Sequence, residues 1–376
     1  MMNKLIKKLQ NYKLFHTIKR WHNNISEKMA NETKMAIQIK KTQHVFLVIA
    51  RSTLIIGLCF VILLPIIQQI SLAIRAPEDI NNPQVVWVPE NFTLMNLKIA
   101  AIVLDFKRAL INNLLVSTIM TACQILSTAV VGYAFAKLRF KGHNILFFFV
   151  IATIVIPPQT VALTQFLYFK NFDLITIIPT PGEWDGFMNY LLGERIGVIE
   201  LITNEPINLL GKVLSLTLMS AFGMGIKSGL FIYIFRQFFR GIPVELEESA
   251  EIDGAGVIRT FFSIMLPNAK SAMLTVGLFA FVWQWNDVYY TSLLQLSKPD
   301  FPMLTMRLAN ASENIYQALF YTGALELVGD DVQNNPLFIA MISNTAALLM
   351  MLPLLIAYIF VQKYFVEGIE RTGIVG

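Results

Sequence analysis

The stretch Glu248-Ser249-Ala250-Glu251-Ile252-Asp253-Gly254, followed at a fixed distance by Ile264, Leu266 and Pro267, lies between two long apolar runs. Pro243 suits a first helical position, and Gly254 and Gly256 suit a stop. Val244 to Asp253 is therefore expected to form a helix of about two to three turns. Leu246, Ser249, Ala250 and Asp253 then share one face at i, i+3, i+4, i+7 spacing. That face is small at its centre and carries one larger apolar knob. Glu245, Glu247, Glu248 and Glu251 stand around it, with no basic residue inside the helix. Such a surface suits a groove on a partner and can transmit a rigid-body push. A solvated acidic helix joining two apolar segments is the other reading of the same residues.

Composition fixes the setting of this polar loop. Hydrophobic residues make up 55% of the 376-residue chain and charged residues only 15%. Mean hydropathy is +0.57, outside the usual soluble range. A hydrocarbon core needs about 20 helical residues to cross. Runs of that length are expected near Thr53 to Ile74, Ala109 to Ala136, Ile145 to Phe169, Val213 to Phe235, Ser271 to Leu294 and Leu337 to Val361. The expectation is an all-α, polytopic membrane protein with six transmembrane helices and both termini on one side.

The distribution of bases orients it. With the termini cytoplasmic, the inner segments hold the basic N-terminal tail, then Lys137, Arg139 and Lys141, then Arg236, Arg240, Arg259 and Lys270, and finally Lys363 and Arg371. The connections near residues 75–108, 170–212 and 295–336 hold fewer bases and many acids. The acidic loop helix is thereby expected on the cytoplasmic side.

In the first 45 residues, Lys4, Lys7, Lys8, Lys13, Lys19 and Arg20 interleave with Leu5, Leu9, Tyr12, Phe15, Ile18 and Trp21. An interfacial helix on an anionic leaflet and a basic tail that only sets topology are equally good readings. The apolar run starts too late for a cleaved signal peptide. Cys59 and Cys123 both sit within apolar runs, so neither a disulfide framework nor a metal site is implied. His16, His22, His44 and His143 have no ligand partner at usable spacing.

Catalytic and nucleotide-binding signatures are missing from the sequence. Gly223-Met224-Gly225-Ile226-Lys227-Ser228 places Ile226 where a P-loop requires its second glycine, and it lies inside an apolar run. Neither Gly-x-Ser-x-Gly nor His-Glu-x-x-His occurs. The expectation is a chain that is not an enzyme and holds no cofactor of its own.

The spacing Glu-x-Ala, three residues, Gly, nine residues, Ile-x-Leu-Pro resembles the loop through which ABC importer permeases dock onto their ATPases. Further stretches narrow the resemblance to the six-span second permease subunit of the maltose-type carbohydrate group. They are Ile156-Pro157-Pro158-Gln159, Arg236-Gln237-Phe238-Phe239, Trp285-Asn286-Asp287 and Gln362-Lys363-Tyr364-Phe365-Val366-Glu367-Gly368. The resemblance runs from about Ala109 to the end, apart from an insertion. It divides the chain into a tail, 1–45, and an importer transmembrane domain, 46–376, with a coupling loop at 236–270 and an extracellular insertion at about 170–212.

What the resemblance implies is a four-domain importer in the plasma membrane of a prokaryote. It would comprise two permeases, unlike each other, an ATPase dimer holding ATP and Mg, and an extracellular sugar-binding protein; membrane lipid surrounds it and nucleic acid has no part. Leu246, Glu248, Ser249, Ala250, Asp253, Gly254, Leu266 and Pro267 are the implied coupling residues. Ser249 departs from the commoner Ala and is small enough to keep the close approach.

For the translocation pathway the candidates are Pro157, Gln159, Lys227, Trp285, Asn286 and Asp287. Intramembrane ionisable residues are functional candidates by default, and aromatic faces beside amides and carboxylates suit sugars. An aromatic belt or a subunit contact would produce the same cluster around Trp283, Trp285, Tyr289 and Tyr290. Lys227 has three readings: snorkelling, pairing with an acid such as Asp287, or local unwinding with Gly223, Gly225 and Gly229. A permease for another solute or a self-sufficient secondary carrier are the alternative functions.

Overall fold

The computed structural model describes residues 2–85, 87–172, 176–179, 195–197, 207–321 and 335–373. The side chains of the first 39 residues, apart from Arg20, Trp21 and Met35, and those after Lys363 lie outside the described set. So do most of the expected insertion at 170–212 and the acidic segment 322–334. The chain divides into two units, residues 1–68 and 69–376.

The first unit is helix α1 (Met2–Ala73) as far as Gln68. From Val45 onward its apolar side chains are open on every side, among them Phe46, Ile56 and Val61 at 70%, 69% and 67% exposure. A helix apolar all round and left bare belongs in lipid or against another subunit. The stretch Lys40–Ala73 is long and apolar enough to cross a membrane.

The second unit is built around α3 (Phe106–Lys137). Before it lies α2 (Met95–Val103), and after it come α4 (His143–Val155), α5 (Ala162–Lys170), α6 (Val213–Ala221) and α7 (Ser228–Arg240). The polar loop supplies α8 (Glu245–Ile252) and α9 (Val257–Asn268), the latter with a π turn at Phe261–Met265. Then follow α10 (Lys270–Trp285), α11 (Tyr289–Leu293), α12 (Leu304–Ala309), α13 (Ala311–Tyr321) and α14 (Pro336–Gly373). Helix α3 packs against α6, α7 and α10, while α14 packs against α2 and α10.

Among the described residues, three helices are long and apolar enough to span, in α1, α3 and α14. Two bent pairs, α4 with the turn Pro158–Val161 and α5, and α9 with α10, raise the number to five. The expected third run thus exists but turns by 105° at Ile156 and Pro157. Two consecutive prolines explain it, because they remove amide donors and exclude helical backbone before them. The expected fourth run is split at Phe222 to Lys227, and the fifth stops at Trp285 and resumes at Tyr289. The all-α expectation needs one small correction: Thr176–Pro179 and Arg195–Gly197 form an antiparallel two-stranded ladder. Its first strand opens on the β-branched Thr176, Ile177 and Ile178.

Broken helices at membrane depth need their freed backbone groups satisfied. Helix α3 does this with Asn113, Gln124 and Ser127. Asn113 Nδ2 donates to the Trp285 carbonyl at 3.2 Å, where α10 ends. Gln124 Nε2 donates to the Ile226 carbonyl at 2.6 Å and to Ser228 Oγ at 2.9 Å. Ser127 Oγ donates to the Ser220 carbonyl at 2.6 Å, closing α6. The Tyr289 hydroxyl donates to the Pro158 carbonyl at 3.0 Å, tying the third break to the fifth.

Close approach fixes the α3 to α7 contact. A Cβ on Gly132 would stand 2.6 Å from Phe235 Cβ and 3.1 Å from the Ile232 carbonyl oxygen. Small residues let membrane helices meet backbone to backbone. Gly132→Leu is therefore expected to destabilise the chain by about 1–3 kcal/mol, read as a lower unfolding temperature in detergent; an unchanged temperature would show that the two helices separate freely.

Between α1 and α2 the chain forms a compact polar loop. Asp79, in the helical turn Pro77–Asn81, accepts from the Asn91 backbone N–H and from Asn91 Nδ2, both at 2.8 Å. Those donors, the backbone one first, hold the Asp79 carboxyl below its usual range. A depressed folded value means stabilisation that is complete above the unfolded value of about 3.9 and lost as pH falls through the folded one. Acidification below about pH 4 should therefore lower the unfolding temperature of the native chain more than that of Asp79→Asn.

Candidate functional site

Two sets of residues stand out, and the first is the polar loop. Helix α8 runs Glu245–Ile252, within one residue of the expected bounds at either end. It closes in a Schellman motif. The Ala255 N–H donates to the Ala250 carbonyl at 2.8 Å and the Gly254 N–H to the Glu251 carbonyl at 3.0 Å. Gly254 takes the left-handed conformation this requires, with φ +79°. The turn aims α9 back toward the body, where Phe261 and Met265 are buried with Phe235 and Phe239. Tyr133 of α3 completes that anchor, its ring 5.1 Å from Phe261 and 5.7 Å from Phe239.

A second anchor is electrostatic. Lys137, the last residue of α3, pairs with Glu247 at 3.3 Å and donates to the Ile242 carbonyl at 2.8 Å. The two side chains are only 11% and 13% exposed. Glu247 thus faces inward while the other acids of α8 face out. The loop is thus held against α3 at Ile242 and Glu247 on one side of the turn and at Phe261 on the other.

The expectation of one docking face through Leu246, Ser249, Ala250 and Asp253 is divided by the structure. Ala250 is 3% exposed and faces the protein body. Its methyl is small enough for α8 to lie close against the anchor. Leu246, Glu248, Ser249, Asp253 and Gly254 face outward. Ser249 Oγ donates to the Glu245 carbonyl at 2.7 Å, so its hydroxyl is satisfied without any partner. Leu266 is partly buried against the anchor and Pro267 is exposed. Sequence reasoning missed Ile252 and Ile258, exposed at 86% and 75%. Like Leu246, they are apolar side chains left open on the loop, with the carboxylates of Glu248, Glu251 and Asp253 also exposed. It also missed Lys137 as an anchor, since nothing in the spacing links the end of α3 to α8.

The second set surrounds the helix breaks. A cavity of about 340 Å³ is lined by Pro157, Pro158 and Gln165, by the unwound stretch from Gly223 to Ser228, and by Tyr290. Of the pathway candidates, Pro157 and Lys227 meet here. Lys227 adopts φ +57° just before α7, at the end of the unwound stretch. Gln159 is exposed on the adjoining turn and is not among the lining residues.

Trp285, Asn286 and Asp287 are placed elsewhere. Trp285 is 1% exposed, and its Nε1 donates to the Met350 carbonyl at 3.2 Å. Asn286 is exposed, and its Nδ2 donates to the Val282 carbonyl at 2.9 Å. Asp287 caps α11, accepting from the Tyr290 N–H at 3.1 Å, the Thr291 N–H at 2.8 Å and Thr291 Oγ at 2.9 Å. Trp285 and Asp287 are therefore held by the protein's own groups. Among the described residues no cluster of His, Cys, Asp and Glu is arranged to hold a metal ion.

The likeness to known proteins agrees with this arrangement. Residues 128–371 match the family model described as binding-protein-dependent transport system inner membrane component. The chain is 26% identical over 77% of its length to the alpha-glucoside transport system permease protein AglG of Rhizobium meliloti, spanning 62% of that protein. It is 25% identical over 70% of its length to the sn-glycerol-3-phosphate transport system permease protein UgpE of Yersinia pestis, spanning 73% of it. A crystal structure of a bacterial ABC transporter involved in import of the acidic polysaccharide alginate contains a chain of the same fold. It aligns with TM-score 0.61 and 18% identity, covering 84% of this chain and 95% of that one.

Proposed function

The chain belongs to the family of inner membrane components of binding-protein-dependent transport systems, the permeases of ABC importers, and from that premise we propose that it translocates a carbohydrate under the drive of a separate ATPase. The observation that carries the coupling reading is the exposed loop: Leu246 and Ile252 of α8 and Ile258 of α9 stand open beside exposed Glu248, Glu251 and Asp253, on a segment tied to α3 by the Lys137–Glu247 pair. A surface of that kind, held rigidly, is suited to take a push from a partner.

In this proposal the ATPase dimer binds ATP and Mg and its closure moves α8. Helix α3 then carries the motion to the broken helices around the cavity, and the permeases turn from inward-facing to outward-facing. An extracellular sugar-binding protein delivers the solute, and a second, unlike permease completes the pathway. Six crossings put the loop and both termini in the cytoplasm of a prokaryote: the apolar end of α1, then α3, α4 with α5, α6 with α7, α10 with α11, and α14. Carbohydrate as the cargo class draws support from the alpha-glucoside relative. The glycerol-3-phosphate relative widens the class to small polyol derivatives.

Affinity purification of this chain from its own host in mild detergent, with mass spectrometry of the eluate, tests the reading. Recovery of an ATPase, a second permease and a solute-binding protein is expected. Recovery of this chain alone, under conditions that keep a known importer together, would favour a self-sufficient carrier.

A further inference from the structure

Among the described residues lining the cavity, Lys227 is the one that carries a charge. Helix α7 separates it from Arg240, beside the loop, by 13 residues, or about 20 Å along the axis. On the proposed topology, with a hydrocarbon core about 30 Å thick, that puts it well inside the bilayer. Its side chain is exposed, and no ion pair among the described residues includes it.

The rest of the lining agrees with an anion in its demands. Among the described residues no carboxylate borders the cavity. Ser228, Gly229 and Leu230, the first turn of α7, line it as well, so the positive end of the helix dipole faces the same space. Gln165 Oε1 is buried there without a hydrogen-bond partner. That oxygen is closed to a solute in this structure, so Lys227 is the group that meets a negative charge. The volume, about 340 Å³, lies in the range of small-ligand pockets.

The geometry points to a substrate subsite for an anionic carbohydrate, a uronate or phosphate-bearing unit, whose charge pairs with Lys227. This deepens the proposed function and rests on it. A cation this deep costs free energy unless it lines a wet path or meets an opposite charge, and a travelling anion supplies the opposite charge. The pairing selects by charge, because a neutral sugar leaves the ammonium unmatched.

The test uses the whole importer, with its binding protein, in proteoliposomes. Solute-stimulated ATPase activity is measured against matched pairs: glucuronate with glucose, galacturonate with galactose, glycerol 3-phosphate with glycerol, and the corresponding uronate and neutral disaccharides. The expected result is stimulation by an anionic member, reduced about tenfold or more by Lys227→Gln and kept by Lys227→Arg. Stimulation by neutral members alone, or equal response of wild type and Lys227→Gln to the anion, overturns the subsite and leaves the importer reading standing. Loss of the second permease from the Lys227→Gln complex also overturns it, by assigning Lys227 to a subunit contact. Stimulation by no member would count against the carbohydrate reading itself.

Discussion

Gly254→Asp is expected to leave the chain folded and inserted at wild-type level while reducing recovery of the ATPase, and ATP-driven uptake, by more than tenfold. A Cβ at this position would meet nothing within 4 Å, so no core contact is lost. Its φ of +79° costs most side chains about 1–2 kcal/mol, but Asp is among the few that visit this region. The damage is therefore confined to the outer surface. There the new carboxylate joins Glu248, Glu251 and Asp253 and must be desolvated in any interface. Gly254→Ala separates the two effects, since it carries the backbone strain without the charge and should keep most of the uptake. Full uptake and full ATPase recovery by Gly254→Asp would show that this turn is not part of the docking surface.

The second large effect is expected at Lys137. Removing one partner of a buried pair leaves the other charge unmatched, at about 3–5 kcal/mol for full burial. With 11% and 13% exposure, on the order of 2–3 kcal/mol is the expectation for Lys137→Met. The bond to the Ile242 carbonyl is lost as well. The signature should be a lower unfolding temperature together with ATP hydrolysis that no longer drives uptake, because α8 is released from α3. Lys137→Met with Glu247→Met should regain most of the stability but not the coupling. If the double variant is as unstable as the sum of the singles, the pair does not act as a unit.

Much of this was legible in the residues, and the exceptions have physical causes. The bounds of α8 followed from Pro243 and Gly254, which act locally through φ and missing donors. The bend in the third apolar run followed from Pro157 and Pro158 in the same way. The split of the fourth run was harder to see, since Gly223 and Gly225 are tolerated in membrane helices. What decides it is Gln124, far away in the chain, which satisfies the Ile226 carbonyl. The inward turn of Trp285 and Asp287 depended likewise on partners in α14 and α11. An aromatic and acidic cluster reads the same whether it faces a ligand or its own backbone. Ala250 was placed on the right helix, yet its side was set by the Lys137 anchor, a contact that helical spacing does not encode.

The measurement closest to the central claim is a cross-link from α8 in native membranes. Cys59 and Cys123 are first replaced by Ser, and Ile252, 86% exposed, is then changed in an Ile252→Cys variant. A short thiol-to-amine cross-linker is applied with and without ATP. The account predicts an adduct with an ATP-binding subunit whose yield changes with nucleotide. Labelling of the Ile252→Cys variant in intact cells by a membrane-impermeant thiol reagent, with no such adduct, would put α8 outside the cytoplasm and contradict it.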